Sequence, residues 1–129
     1  MENWHSEIVE LHDFFEDYLK GTIPASEIGR IDSVFAESFA MVAPDGSVSD
    51  AKGVKAAISG SHGALGSMKM RISNAELVAD SADLIAARYI EHQDYDGGSN
   101  SRRATVVFQV DPSAPNGLKW LTVHETWLP

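Results

Sequence analysis

Apolar side chains recur every three or four positions in the first part of the chain. The positions are Trp4, Ile8, Leu11, Phe14, Phe15, Tyr18 and Leu19. This spacing predicts a helix over residues 2–20 with one apolar stripe. Acidic residues fall largely on the opposite side of that helix, at Glu7, Glu10, Asp13, Glu16 and Asp17. Gly21 is expected to end the helix, since glycine is common just past a helix end.

A shorter pattern follows this helix. Ile28, Ile31, Val34 and Phe35 predict a brief second helix. A short strand from Phe39, a turn at 44–46 and a brief return come next. Asp50 is a predicted N-cap for a third helix over about 51–64.

The second half of the chain has the residue pattern of β-strands. The predicted strands cover about 67–79, 83–95, 100–110 and 118–128, and they are rich in β-branched and aromatic residues. The short connections between them carry Asp, Gly, Pro and Asn, which indicates antiparallel neighbours. The sequence therefore predicts a single α+β domain over residues 1–129, with three N-terminal helices packed on one face of a mainly antiparallel sheet.

Composition narrows the classes of partner. The chain has 129 residues, and 10 Lys and Arg against 19 Asp and Glu give a formal net charge of −9. Nucleic acid and anionic membrane surfaces are therefore not expected as partners. The absence of Cys excludes disulfides, zinc–thiolate sites and cysteine nucleophiles. Without a signal peptide or a long apolar run, a soluble cytoplasmic protein is expected.

Two segments resemble a known superfamily. Residues 34–46 with 53–58 look like the run from second helix to third helix in nuclear transport factor 2-like proteins. Residues 118–126 are similar to the last strand of the calcium/calmodulin-dependent kinase association domain. The resemblance, which also extends to SnoaL-like polyketide cyclases, covers nearly the whole chain. It implies a curved sheet around a cone-shaped cavity and a homodimer that pairs through the outer sheet face.

The chemistry of ketosteroid isomerase, another member of this superfamily, does not transfer to this sequence. The position of its aspartate base falls on Ala43, and the position of its tyrosine donor falls on Phe14. Neither residue transfers protons. Tyr18 lies one turn further along the first helix and is the candidate that offers a hydroxyl instead.

The last predicted strand supplies the candidate acid–base residues. Strict alternation puts Leu121, Val123, Glu125 and Trp127 on one face. The other face then holds Trp120, Thr122, His124 and Thr126. The first face is more apolar and is expected to line the cavity, with Glu125 and Trp127. If the faces are reversed, His124 is the cavity residue, and otherwise it lies on the outer surface.

The two central strands supply candidate ligand-binding residues. Arg88, Tyr89, Glu91 and Arg103 are predicted to form a polar patch, and Arg102 is an equal alternative to Arg103. A cavity arginine favours carboxylate or enolate ligands, whereas a cross-strand ion pair is the structural alternative. The cavity arginine of the kinase association domain falls on Val106, so that feature does not transfer.

Two further groups of histidine and acidic residues have alternative interpretations. His62 is either a residue over the cavity mouth or an exposed residue at a helix end. His92, Asp94 and Asp96 resemble metal ligands by type, but they lie in a predicted hairpin turn, and no metal or other cofactor is expected.

These features predict a small-molecule binding protein with no demonstrated reaction, and a small apolar or anionic organic ligand. A cofactor-free enzyme of the SnoaL or dehydratase/isomerase kind is the alternative, with His124 or Glu125 as the acid–base. A dimeric assembly module is the third possibility.

Overall fold

A computed structural model describes residues 2–129 of the chain. The helices are α1 (Asn3–Lys20), α2 (Arg30–Val34) and α3 (Ala51–Ser59), with a 3₁₀ turn at Ala25–Gly29. The strands are β1 (Phe35–Val42), β2 (Val48–Asp50), β3 (Lys69–Asp80), β4 (Leu84–Tyr95), β5 (Gly98–Val110) and β6 (Leu118–Trp127).

The six strands form one curved sheet in the order β2-β1-β6-β5-β4-β3. β1 pairs in parallel with β6, and every other neighbouring pair is antiparallel. The core lies between α1 and the inner face of the sheet, where Leu11, Phe108 and Trp120 belong to one apolar cluster. The predicted α+β architecture, with helices first and a mainly antiparallel curved sheet second, is confirmed.

The ends of the helices follow local chemistry. Gly21 adopts a left-handed conformation with φ of 79°, and its N–H reaches the carbonyl of Tyr18. A Cβ at this position would lie 3.0 Å from the Cα of Gly63, so glycine is required for both conformation and space. At α3, the Asp50 carboxylate accepts a hydrogen bond of 2.8 Å from the N–H of Gly53, as expected for an N-cap.

Three details of the chain differ from the sequence pattern. Phe35 begins β1 instead of ending the second helix, and α3 ends at Ser59 instead of near residue 64. Glu7 is fully buried rather than solvent-facing. Its two carboxylate oxygens accept hydrogen bonds from Trp120 Nε1 at 2.9 Å and from Asn116 Nδ2 at 3.1 Å, which explains why an acidic residue is tolerated there.

A bulge in β6 changes which residues face inward. Thr122 pairs with Val107 but Trp120 pairs with Phe108, so Leu121 is an extra residue between them. Strict alternation would place Trp120 on the outer face with His124. The bulge instead turns Trp120 inward, to the same face as Val123 and Glu125, and all three are buried.

Candidate functional site

A cavity of about 420 Å³ lies between the inner face of the sheet and the helices. Most of its surface is apolar, with walls from every layer of the fold: Leu11, Phe39, Val54, Met68, Trp120 and Val123. Gly53, Ala57 and Leu65 also line it and are exposed to solvent, so the cavity opens on the side of α3. Its size and character are typical of small-molecule sites.

One wall of the cavity carries its ionisable side chains and a glutamine. They are His12 from α1, Tyr89, Glu91 and Gln93 from β4, Arg102 from β5 and Glu125 from β6. Strand register brings them together, since Glu91 lies opposite Arg102, while Ala104 lies opposite both Tyr89 and Glu125. The small side chain of Ala104 leaves room for its two neighbours to point into the cavity.

His12 and Glu91 form a buried pair. His12 Nε2 lies 2.9 Å from Glu91 Oε1, and its Nδ1 lies 2.7 Å from the carbonyl oxygen of Ile8. Both ring nitrogens therefore face oxygen acceptors. An imidazolium satisfies both acceptors by donating from each nitrogen. We therefore assign His12 as positively charged and Glu91 as its carboxylate partner.

The electrostatics of the pair agree with this assignment. Burial alone would lower the pKa of His12, but the charge and hydrogen bond of Glu91 raise it above its ordinary value. Burial alone would raise the pKa of Glu91, but His12 and a hydrogen bond from Gln93 lower it to about 2. Each residue therefore stabilises the charged form of the other.

A second pair joins Arg102 and Glu125. Arg102 Nη1 donates to Glu125 Oε1 at 3.2 Å, and Arg102 Nη2 donates to Asn100 Oδ1 at 3.1 Å. The guanidinium also stacks over Trp127, 4.7 Å from the ring centroid. Burial and the nearby Glu91 charge raise the pKa of Glu125, although Arg102 opposes that shift. Two carboxylates on one wall thus have different electrostatic environments.

Tyr89 lies on the same wall of the cavity. It is buried, and its ring packs edge-on against His12, with centroids 5.5 Å apart. Burial and the charges of Glu91 and Glu125 raise the pKa of its hydroxyl well above 10.0. Tyr89 therefore stays neutral and is able to donate or accept a hydrogen bond.

Several predicted site residues lie on the outer face of the sheet. Arg88 forms an exposed ion pair with Glu76 at 3.0 Å, which is the structural alternative considered above. Arg103 and His124 are exposed beside an outer groove. The placement corrects the expectation that Arg88 and Arg103 line the cavity, because Tyr89 and Arg102 are the inward residues of those strands.

Tyr18 and Trp127 also lie outside the cavity lining. Tyr18 is buried, and its hydroxyl donates to the carbonyl oxygen of Ala25 at 3.0 Å, so this group is already satisfied. Trp127 is half exposed and covers the guanidinium of Arg102 from outside. Of the predicted site residues, the structure brings together Tyr89, Glu91 and Glu125.

His12 was not predicted as a site residue. His12 lies four positions after Ile8 and eight after Trp4, so it falls within the apolar stripe of α1. A titratable residue within an apolar stripe is expected to be buried, and this feature of the sequence could have identified His12 as a site residue. Gln93 was missed because no sequence rule distinguishes a cavity glutamine from an exposed one.

The remaining candidates have structural partners. His62 Nε2 lies 2.7 Å from the carbonyl oxygen of Ile23, and its ring packs edge-on against Tyr18 rather than lining the cavity. His92 lies between Ser73 and Ser101, at 2.8 and 2.7 Å from their hydroxyl oxygens.

Across residues 2–129, no group of three or more His, Asp or Glu side chains has the arrangement of a metal site. No helix within the same range is long and apolar enough to cross a membrane.

Comparisons with solved structures identify the fold. A nuclear transport factor 2-like protein of unknown function from Pseudomonas aeruginosa superposes with a TM-score of 0.92 at 28% identity, covering 98% of this chain and 99% of the other. A protein with a cystatin-like fold from Caulobacter vibrioides gives 0.65 at 14% identity, covering 90% and 82%. The association domain of C. elegans CaMKII gives 0.62 at 12% identity, covering 95% of each chain.

These superpositions confirm the predicted superfamily. The C. elegans structure is an association domain, the type of protein whose last strand residues 118–126 resemble. No curated protein matches the chain in a sequence comparison. A family model does match, over residues 4–129, and its description is sucrose-6-phosphate phosphohydrolase C-terminal. The chain thus has the nuclear transport factor 2-like fold and belongs to the sucrose-6-phosphate phosphohydrolase C-terminal family.

Proposed function

We propose that the protein binds a small, largely apolar organic molecule in the cavity between the sheet and α3. The observation that carries this proposal is the division of the cavity into apolar walls and one polar wall. Apolar walls give affinity by removing ligand surface from water, and a few polar groups fix its orientation. Met41, Met68 and Met70 add flexible side chains that adapt to the shape of a ligand.

A neutral fluorophore tests whether the cavity binds ligands. We expect 1-aminoanthracene to bind with increased fluorescence, because its rings enter an environment without water. Val54 lines the cavity from α3, so Val54→Trp fills part of it and is expected to weaken binding at least about ten-fold, as loss of a well-packed ligand group does. Val78→Trp is the matched control, since Val78 is exposed on β3. Equal binding by both variants would exclude the cavity as the site.

Acid–base catalysis by Glu125 is a second candidate function. The observation that favours it is the pair of carboxylates in different environments, with Glu91 held ionised by His12 and the pKa of Glu125 raised by burial. Such divergence is typical of sites where one carboxyl group transfers a proton. His124 is not part of this proposal, because its side chain lies on the other face of the sheet.

Hydrogen–deuterium exchange at carbon tests the catalytic candidate. In this scheme Glu125 removes a proton α to the carbonyl of 2-tetralone, and the enolate then takes a deuteron from the exchanged carboxyl group. We expect nuclear magnetic resonance in D₂O to show faster exchange with the native protein than with Glu125→Gln. Equal rates with both proteins would exclude Glu125 as the acid–base.

Homodimerisation through the outer sheet face is the partner interaction that we propose. The outer groove contains the uncharged side chains Val42, Thr105, Val107 and Thr122, in a protein of net charge −9. Thr105→Asp introduces a charge into this surface and is expected to convert a dimer into a monomer. Light scattering after size-exclusion chromatography measures the mass. Thr22→Asp, in an exposed loop, is the control. A native protein with the mass of a monomer would exclude the dimer.

A further inference from the structure

We propose that the cavity selects neutral ligands whose polar end donates a hydrogen bond, and that Glu125 determines this selectivity. The inference rests on the proposed binding function and specifies the chemical class of the ligand. It departs from the sequence-based expectation of an anionic ligand, which depended on an arginine with a free charge in the cavity.

The charges on the polar wall form two compensated pairs. His12 and Glu91 are 2.9 Å apart, and their side chains are 6% and 5% exposed. Arg102 and Glu125 are 3.2 Å apart, with side chains 14% and 5% exposed. Each cation therefore has a carboxylate partner, and the wall as a whole is neutral. A charged ligand loses its hydration on entry and finds no uncompensated partner of opposite sign.

Arg102 does not offer its charge to a ligand. Its two terminal nitrogens donate to Glu125 and Asn100, and its planar face is covered by Trp127. Its Nε is buried. An anionic ligand would have to displace Glu125 from Arg102 while remaining close to two carboxylates.

The atoms on the polar wall that remain available to hydrogen-bond a ligand are mainly acceptors. Both oxygens of Glu91 accept hydrogen bonds, from His12 and from Gln93. Glu125 uses Oε1 for Arg102, and its Oε2 has no hydrogen-bond partner among residues 2–129. A ligand hydroxyl or amide N–H satisfies this oxygen, because a carboxylate only accepts. Tyr89 adds a neutral hydroxyl to the same wall.

Three naphthalene derivatives of similar size separate the ligand classes. They are 1-naphthamide, which is neutral and donates, 1-naphthoate, which is an anion, and 1-naphthylmethylammonium, which is a cation. Each competes with bound 1-aminoanthracene in a fluorescence titration. We expect the native protein to bind 1-naphthamide at least about ten-fold more tightly than either ion, since an uncompensated buried charge is costly.

Substitution of Glu125 is expected to change this order. Glu125→Gln keeps the shape of the side chain and leaves Arg102 without a carboxylate partner. The affinity for 1-naphthoate is expected to rise about ten-fold, as one recovered ion-pair interaction allows, while the affinity for 1-naphthamide falls. Glu76→Gln is the matched control, because it removes the carboxylate partner of Arg88 on the outer face and is expected to change none of the three affinities.

The outcomes separate the two proposals. If 1-aminoanthracene binds but native protein prefers 1-naphthoate, or if Glu125→Gln leaves the order unchanged, the selectivity inference is wrong and the binding function stands. If 1-aminoanthracene does not bind, both proposals are wrong. Should Glu125→Gln fail to fold, the order of the three ligands on native protein and Arg102→Gln, which is expected to favour the ammonium ligand, provide the decision.

Discussion

Two arginine–glutamate pairs lie on opposite faces of the same sheet and have almost the same geometry. On the outer face, Arg88 and Glu76 are 3.0 Å apart with side chains 40% and 58% exposed. On the inner face, Arg102 and Glu125 are 3.2 Å apart with side chains 14% and 5% exposed. Water screens the outer pair and has little access to the inner one. Burial, rather than distance, therefore determines how much each pair contributes to the free energy of unfolding.

Histidines show the same contrast between the two faces. His124 is exposed on the outer face. His12 is buried on the inner side and has an acceptor at each nitrogen. Histidine is therefore present on both faces of the sheet, but only His12 forms a buried ion pair with a carboxylate.

The largest expected effect follows from separating His12 and Glu91. His12→Leu leaves the Glu91 carboxylate buried without its cation and is expected to lower the free energy of unfolding by about 3–5 kcal/mol. Urea denaturation measures this value. The double variant His12→Leu/Glu91→Leu removes both charges and is expected to recover most of the loss. A single variant as stable as native protein would show that the pair is not formed.

The next effect compares the two arginines directly. Arg102→Ala leaves Glu125 buried without its cation and is expected to cost about 2–3 kcal/mol of unfolding free energy. Arg88→Ala removes an exposed pair and is expected to cost about 0–1 kcal/mol. Thermal and urea denaturation of both variants under the same conditions measure the difference. Equal losses would remove the distinction between the faces.

A smaller effect is expected from pH. The raised pKa of His12 adds stability that is complete below the ordinary value of 6.5 and is lost as the pH rises through the raised pKa. The lowered pKa of Glu91 adds stability that is complete above 4.5 and is lost as the pH falls towards about 2. The pair is thus expected to stabilise the fold most between pH 4.5 and 6.5.

His12→Gln isolates this contribution, because Glu7 and Glu125 remain. Both of these carboxyl groups have raised pKa values, so their contribution, unlike that of Glu91, is lost as the pH rises above 4.5. The difference in unfolding free energy between native protein and His12→Gln is expected to be largest between pH 4.5 and 6.5. A difference that is constant with pH would contradict a charged His12.

The smallest effect is expected at His124. Because its side chain is exposed on the outer face, His124→Ala is expected to change the free energy of unfolding by less than about 0.5 kcal/mol. Binding of 1-aminoanthracene is also expected to stay unchanged, and the same titration measures it. A loss of binding in this variant would place the ligand on the outer face.

The architecture was predictable where local signals decide it. The stripe of α1, the glycine that ends it, the N-cap at Asp50 and the turn residues between strands each specify structure within a few residues. The predicted ends of β3 to β6 lie within two residues of the observed ends, because alternation and turn chemistry are also local.

The site was less predictable, because it depends on which face of each strand turns inward. Arg102 and Arg103 are adjacent in sequence, and only packing against α1 and the register with Glu91 decide that Arg102 faces the cavity. The bulge at Leu121 reverses the face of Trp120, and alternation alone does not reveal a bulge. Pairing of His12 with Glu91 joins residues that are 79 positions apart, so neither sequence neighbourhood reports it.

If the inner face holds its charges in compensated pairs, His12 must be an imidazolium. Nuclear magnetic resonance of ¹⁵N-labelled histidine side chains distinguishes an imidazolium from either neutral tautomer. Both ring nitrogens of His12 are expected to stay protonated when the pH is raised past the ordinary value of 6.5. A His12 ring with one unprotonated nitrogen at a pH below 6.5 would contradict the account.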